Sequence, residues 1–302
     1  MAYFGKRWNL VGTISGFNRQ CTRLFGQGCV QGVYKRVRLC DKPAYSLCRK
    51  SAELLRQDSN ILLLLDGNLL ESPLGNVICT TSSTLGEGIL SEWRAQLGKL
   101  TRFDTLPITM LVAETIDRRP AEREKIVNTL IDSIKFDTVL RFDMSPVVEL
   151  PPLENLDNIK LSQIDSLDID VLQSSYLKPI LDGFSKRRGT SPLVTSASIA
   201  SYPSQPPDVY QAIERSIHNL SEEEITTIWK LHRSLKSVIL PLELMEGVIG
   251  ATQALRAARL EETLQAARWG ISQDFKHTES SILQKINVSL FFYRSHKDIH
   301  SH

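Results

Sequence analysis

The sequence contains no apolar run long enough to cross a bilayer: its longest aliphatic stretch is Ile61-Leu62-Leu63-Leu64-Leu65, against the roughly 20 residues a membrane helix needs. Glycine and proline are sparse, 16 and 13 of 302 residues, which excludes collagen-like and low-complexity chains. Five cysteines, Cys21, Cys29, Cys40, Cys48 and Cys79, form no Cys-x-x-Cys pair. They signal no metal site, and an odd number without compact spacing points to free thiols in a reducing compartment. Charge of one sign is lacking as well. Thirty-six Lys plus Arg against 34 Asp plus Glu leave +2, too little for a chain whose main work is neutralising phosphates, so no nucleic acid is expected as partner. Neither Gly-x-x-x-x-Gly-Lys-Ser/Thr nor Gly-x-Ser-x-Gly nor His-Glu-x-x-His occurs. Gly26-x-Gly28-x-x-x-Gly32 has the wrong spacing for a dinucleotide loop, and no cofactor or catalytic residue is assigned.

What is present is a globular composition, 42% hydrophobic and 23% charged, over a length that suits two domains at about 150 residues each. Residues 1–40 hold Lys6, Arg7, Arg19, Arg23, Lys35, Arg36 and Arg38 and no acid. Aromatic and hydroxyl residues are interleaved with the arginines and no continuous apolar core follows, the composition of a mitochondrial transit peptide. Residues 1–30 are therefore read as a presequence and the mitochondrial matrix as the destination. A basic N-terminal tail is the alternative. His296, His300 and His302 fall in a polar tail, 296–302, which is read as frayed rather than metal-binding.

Between these ends the pattern is strand first and helix later, an α+β chain with a small antiparallel β-rich domain over 31–104 and a mainly helical domain over 105–295. Residues 33–39 alternate in the period of a strand. Residues 61–65, the dipeptide Asp66-Gly67, and Leu69-Leu70 form a hairpin, and Pro73 with Gly75 marks the next turn. Residues 41–60 are read as an insertion containing a helix-compatible piece, Ser51 to Arg56. Leu85, Ile89 and Trp93 then recur at helical spacing to about Leu97, with Thr84 and Glu87 as a capping box. Pro107 and Pro120 suit the first turns of two further helices. Residues 144–175 and 189–207 are read as long loops. Ser221 with Glu224 caps a helix that extends to Pro241; another runs from Leu242 to Gly270, and a last one spans 279–292. Asp66, Gly67 and Pro73 are explained by turn geometry, and Trp93, on the Leu85–Ile89 stripe, by core packing.

The residues Leu65-Asp66-Gly67-Asn68-Leu69-Leu70-Glu71-Ser72-Pro73-x-Gly75, Glu92-Trp93-x-x-Gln96, Leu106-Pro107-Ile108-Thr109 with Thr115-Ile116-Asp117, and Phe136-Asp137-Thr138-x-Leu140-Arg141 stand in the order and spacing of a known family. Leu235-Lys236-Ser237 and Arg259-Leu260-Glu261-Glu262-x-x-Gln265-x-x-x-Trp269-Gly270 continue the match. Over about 32–292 the chain resembles ATP synthase assembly factor 2, the family of mitochondrial F1-ATPase chaperones. The resemblance implies binding rather than catalysis: capture of the unassembled F1 alpha subunit until beta replaces it, with no cofactor and with the chaperone monomeric when free. It departs from the family at Asn68, where a basic residue is usual, at Glu71-Ser72, where Lys-Thr is usual, and at Tyr176-Leu177-Lys178-Pro179 in place of Trp-Asp-Pro.

Glu261, Glu262, Gln265 and Trp269 put two carboxylates, an amide and an indole on neighbouring turns, a polar-rimmed surface suited to a protein partner. A solvated helix end with Trp269 packed inward is the competing reading. Lys236 and Ser237 are read as helix-surface and helix-packing residues. Two other classes stay open: a matrix enzyme with a dispersed active site, and an adaptor for another mitochondrial complex that binds through the acidic segment 150–175.

Overall fold

The computed structural model describes residues 35–39, 49–98, 105–153, 168–198, 202–270 and 272–297. The segments read as presequence, 1–30, and as most of the acidic connection, 154–167, lie outside them.

A five-stranded sheet opens the chain: β1 (Arg36–Arg38), β2 (Ala52–Gln57), β3 (Asn60–Leu65), β4 (Asn68–Glu71) and β5 (Cys79–Thr80), in the order β1-β4-β3-β2 with β5 also on β3. Strand β3 can be aliphatic at nearly every position because it is the centre of the ladder and is covered on both faces. The α+β class stands, with one difference: β1 runs parallel to β4, Val37 opposite Leu70, so the sheet is mixed. A second correction concerns 41–60. The piece read as helix-compatible is β2, paired antiparallel with β3 from Ala52 opposite Leu65 to Gln57 opposite Asn60. Leu54 and Leu55 suit a helix in isolation, but a neighbouring strand with free ladder groups wins.

Asp66 and Gly67 make the β3–β4 turn, both at positive φ, 50° and 73°. The Asp66 carboxylate accepts N–H bonds from Lys50 at 2.8 Å and Ser51 at 2.9 Å and sits 3.6 Å from Arg49, which hold it below the usual aspartate range. A turn residue therefore also pins the approach to β2.

Ten helices follow among the described residues. They are α1 (Ser83–Ala95), α2 (Pro107–Asp117), α3 (Pro120–Asp132), α4 (Ile169–Arg188), α5 (Pro207–His218), α6 (Glu222–Leu235), α7 (Ile239–Met245), α8 (Ala251–Ala258), α9 (Leu260–Trp269) and α10 (Gln273–Lys297). Pro107 and Pro120 open α2 and α3, and Ser221 with Glu224 forms the α6 capping box. The α1 cap is Ser82, whose hydroxyl accepts from Leu85 N–H at 3.2 Å, rather than Thr84. Residues 169–175, read as loop, belong to α4.

The two long C-terminal helices of the sequence reading are divided. Helix α6 stops at Leu235 because Lys236 turns into the left-handed region, φ 54°. Pro241 then falls within the separate short α7 rather than ending α6. The segment 242–270 is broken again where Gly247 takes φ 73° and at Arg259, giving α7, α8 and α9. Helix α10 is longer than 279–292 and ordered through Lys297; His296 meets the Phe292 ring edge-on at 4.9 Å.

Two apolar cores result. One joins the sheet to α1 and α2, with Leu65, Leu70, Leu85 and Trp93; the other fills the helical part around Leu130, Phe184, Ile228 and Leu255. Helix α10 serves both, since its Ile286, Leu290 and Tyr293 lie in the second core and its fully buried Phe292 in the first.

Candidate functional site

The expected contact residues lie on α9. Glu261 and Glu262 occupy its first turn, where carboxylates complement the helix dipole. Gln265 Nε2 donates to Glu261 Oε1 at 3.2 Å, so these two form one polar pair. Glu262 turns the other way and accepts from Arg259 Nε at 2.8 Å, while the Arg259 guanidinium lies 5.0 Å from the Phe275 ring centroid. Trp269, the last residue of α9, is 79% exposed, the most exposed large hydrophobic side chain among the described residues. The packed-inward alternative for the indole is thus excluded. Gly270 follows at φ 100° and ends the helix. On the preceding helix Arg256, 5% exposed, donates to the Leu153 carbonyl at 2.9 Å and pairs with Glu279 at 3.3 Å, fixing α8 to α10.

The remaining motif residues are scaffold. Trp93 is 3% exposed between α1 and the sheet, and its Nε1–H is buried without a partner. Its neighbour Glu92 reaches the N-terminus of α2, accepting from Ile108 N–H at 2.6 Å, Thr109 N–H at 2.9 Å and the Thr109 hydroxyl at 2.8 Å. Burial outweighs these donors and raises its pKa. Asp117 does the same for the Pro73 turn: Ser72 Oγ donates to it at 2.5 Å, Asn76 Nδ2 at 2.7 Å and Leu74 N–H at 3.0 Å.

Asp137 is fully buried and accepts Val238 N–H at 2.6 Å, Ile239 N–H at 3.2 Å and Val139 N–H at 3.2 Å. It is the cap of α7, supplied from about a hundred residues upstream, and desolvation pushes its pKa up to about 6. Ser237, wholly buried, accepts Leu240 N–H at 3.1 Å, and Lys236 is the left-handed α6 cap.

Sequence reasoning missed the seam between the two cores. Arg118, 5% exposed at its side chain, donates to Thr226 Oγ1 at 2.7 Å and to the Glu222 carbonyl at 2.9 Å, and ion-pairs with Glu222 at 3.1 Å. Thr115 and Thr226 share a hydroxyl bond at 2.7 Å. It also missed the fully buried Glu243, held by Arg187 and, at 3.2 Å, by Arg188. None of these pairs has a local spacing that could reveal it. The α9 acids, by contrast, are adjacent in sequence.

Buried carboxylates here tie elements together, and exposed carboxylates, an amide and an indole stand along one short helix. No group of three His, Cys, Asp or Glu that could hold a metal ion occurs among the described residues, and no helix there is long and apolar enough to cross a membrane. The fold and site define an α+β protein with exposed polar and aromatic side chains on one short helix. The ATP12 chaperone protein family matches residues 34–184, and the chain belongs to that family.

Among its relatives is Protein atp12, mitochondrial, of Schizosaccharomyces pombe, 24% identical over 239 residues that make up 76% of each chain. The crystal structure of Atp12 from Paracoccus denitrificans shares the fold, at a TM-score of 0.65 and 21% identity, over 82% of this chain and 98% of that one. A structure from Agrobacterium tumefaciens matches 82% of this chain and 84% of its own, at a TM-score of 0.65 and 18% identity.

Proposed function

We propose that this protein is an assembly chaperone of the mitochondrial F1-ATPase, which binds the unassembled alpha subunit in the matrix and holds it in solution until the beta subunit takes its place. Membership of the ATP12 chaperone family carries this reading. The mitochondrial relative supports the compartment, as does the basic, acid-free segment 1–40.

The physical logic is mass action. A partner that binds only the unassembled subunit lowers the concentration of aggregation-prone chain and is displaced when a larger interface becomes available. No catalytic step is needed, and a monomer is sufficient. Glu261, Glu262, Gln265 and Trp269 are the proposed contact surface, because a 79% exposed tryptophan on the same short helix as two exposed acids is the composition of a protein–protein anchor.

Co-expression of residues 31–302 with the alpha subunit, and separately with beta, tests the reading by affinity capture and size exclusion. Selective one-to-one capture of alpha is the expected result; failure with a folded chain overturns it. A Glu261→Lys, Glu262→Lys double variant, both side chains being exposed and its fold checked by circular dichroism, is expected to weaken that capture at least tenfold. Unchanged capture removes α9 from the interface.

A further inference from the structure

A cavity of about 530 Å³ opens where α2, α6 and α10 meet, across the seam of the two cores. Its apolar wall comes from Met110 and Leu111 of α2 and from Ile282 and Val288 of α10. Its rim is basic: Lys230 and Arg233 of α6, Lys236 at the α6 cap, and Lys285 of α10. Only Lys230 has an acidic partner, Glu114 at 2.6 Å. Arg233, Lys236 and Lys285 are exposed, and none has an ion-pair partner among the described residues.

Arg233, Lys236 and Lys285 are exposed cations of one sign around an aliphatic pocket, with no acid beside them among the described residues. Their interaction with approaching carboxylates is favourable. The whole chain is near neutral, +2, so this concentration of one sign is local rather than a reflection of composition. The cavity lies within the usual range for binding sites and at a junction between cores, where such sites are common.

We infer that this cavity is a second docking point, which takes an acidic segment of a partner protein: an aliphatic side chain enters between Met110 and Val288 while flanking Asp or Glu side chains pair with Arg233, Lys236 and Lys285. The occupant is set by charge complementarity: three cations contributed by two helices suit a chain segment bearing several carboxylates better than a single anionic head. The inference deepens the chaperone reading and rests on it for the partner's identity, but its test does not need the alpha subunit. The Glu114–Lys230 pair acts as an internal competitor, since it keeps one rim cation occupied.

The probe is a fluorescein-labelled peptide of glutamate and leucine on a helical repeat, followed by fluorescence anisotropy with the full chain. Its control is the same peptide with lysine for glutamate. The glutamate peptide is expected to bind, more weakly as salt is raised, and the lysine peptide not to bind. Arg233→Glu with Lys285→Glu is expected to weaken binding about tenfold or more. Glu114→Gln, which frees Lys230, is expected to tighten it severalfold, a gain that misfolding cannot mimic.

Equal binding of both peptides, or equal affinity of the double charge-reversal variant, overturns the docking point. So does dodecanoate occupying the cavity, seen as a shift of the Ile282 methyl resonances, while the glutamate peptide fails to bind. If the peptide binds as described but the alpha subunit is not captured, the cavity stands and the proposed client falls. If alpha is captured with unchanged affinity by the double variant, the client stands and the cavity's part in it falls.

Discussion

Asp137 lies wholly buried at the α6–α7 junction, and its three backbone donors come from two distant stretches of chain. Desolvation raises its pKa from the ordinary 3.8 to about 6, outweighing those donors. In that window the folded chain retains a proton which the unfolded chain has released, so the stability contributed by Asp137 is complete below 3.8 and is lost as pH rises through about 6. Asparagine does not titrate and would aim an N–H₂ at donors. Asp137→Asn is therefore expected to lower stability by about 1–3 kcal/mol at neutral pH. The gap to wild type should be larger near pH 4, as urea unfolding across the range would show. Glu71 is held in place by two arginines of β1. It is 5% exposed and pairs with Arg36 at 2.9 Å and Arg38 at 3.6 Å, which fastens the short β1 to β4. The adjacent Ser72 takes up Asp117. Glu71 and Ser72 thus each have partners of their own.

Among the elements, the β3–β4 hairpin and helix α1 owe their form to local chemistry. At Gly67 an added Cβ would meet nothing within 4 Å, yet φ is +73°, so the obstacle to a side chain is the backbone alone. Gly67→Ala is expected to cost about 1 kcal/mol in thermal unfolding, and Gly67→Val more. Trp93→Arg would put a charge into the core between α1 and the sheet; a loss of several kcal/mol and of most soluble protein is expected in expression and melting tests. The helical reading of 51–56 failed because the helix propensity of two leucines and an alanine is a weak preference, which the open ladder of β3 overrides. The reading of α6 as continuous to Pro241 failed because the break, at Lys236, carries neither glycine nor proline. What creates it is the Asp137 carboxylate, waiting to cap α7.

For the whole molecule the decisive feature is how the two cores are joined. Arg118 is the centre of the join, with a fork that reaches Thr226 and Glu222 together. Lysine cannot reproduce that geometry. Arg118→Ala and Arg118→Lys are both expected to lower the melting temperature, the former by about 2–4 kcal/mol in stability, because removing the guanidinium leaves polar groups of α6 unpaired. Faster amide exchange in α2 and α6 before the sheet itself exchanges would locate the effect. Helix α10 closes the seam from the other side. Phe292→Ala, which empties a wholly buried ring position, is expected to cost about 3–5 kcal/mol. The basic cavity lies at the seam, between α2 of the first core and helices α6 and α10, and the α9 residues lie along a short helix of the second core.

The α+β class, the hairpin at Asp66-Gly67, the proline-opened helices and the Ser221 cap follow from periods and turn residues that lie within a few positions of each other, and such signals are complete in the sequence. That Glu261, Glu262 and Trp269 share a helix was legible for the same reason, whereas the exposure of Trp269 was not. The parallel pairing of β1, the strand at 52–57, the division of the C-terminal helices, the Arg118 seam and the meeting of Arg233 and Lys236 with Lys285 were settled only in three dimensions. Each depends on groups far apart in the chain, whose hydrogen bonds, charges and desolvation exist only once the two cores have packed.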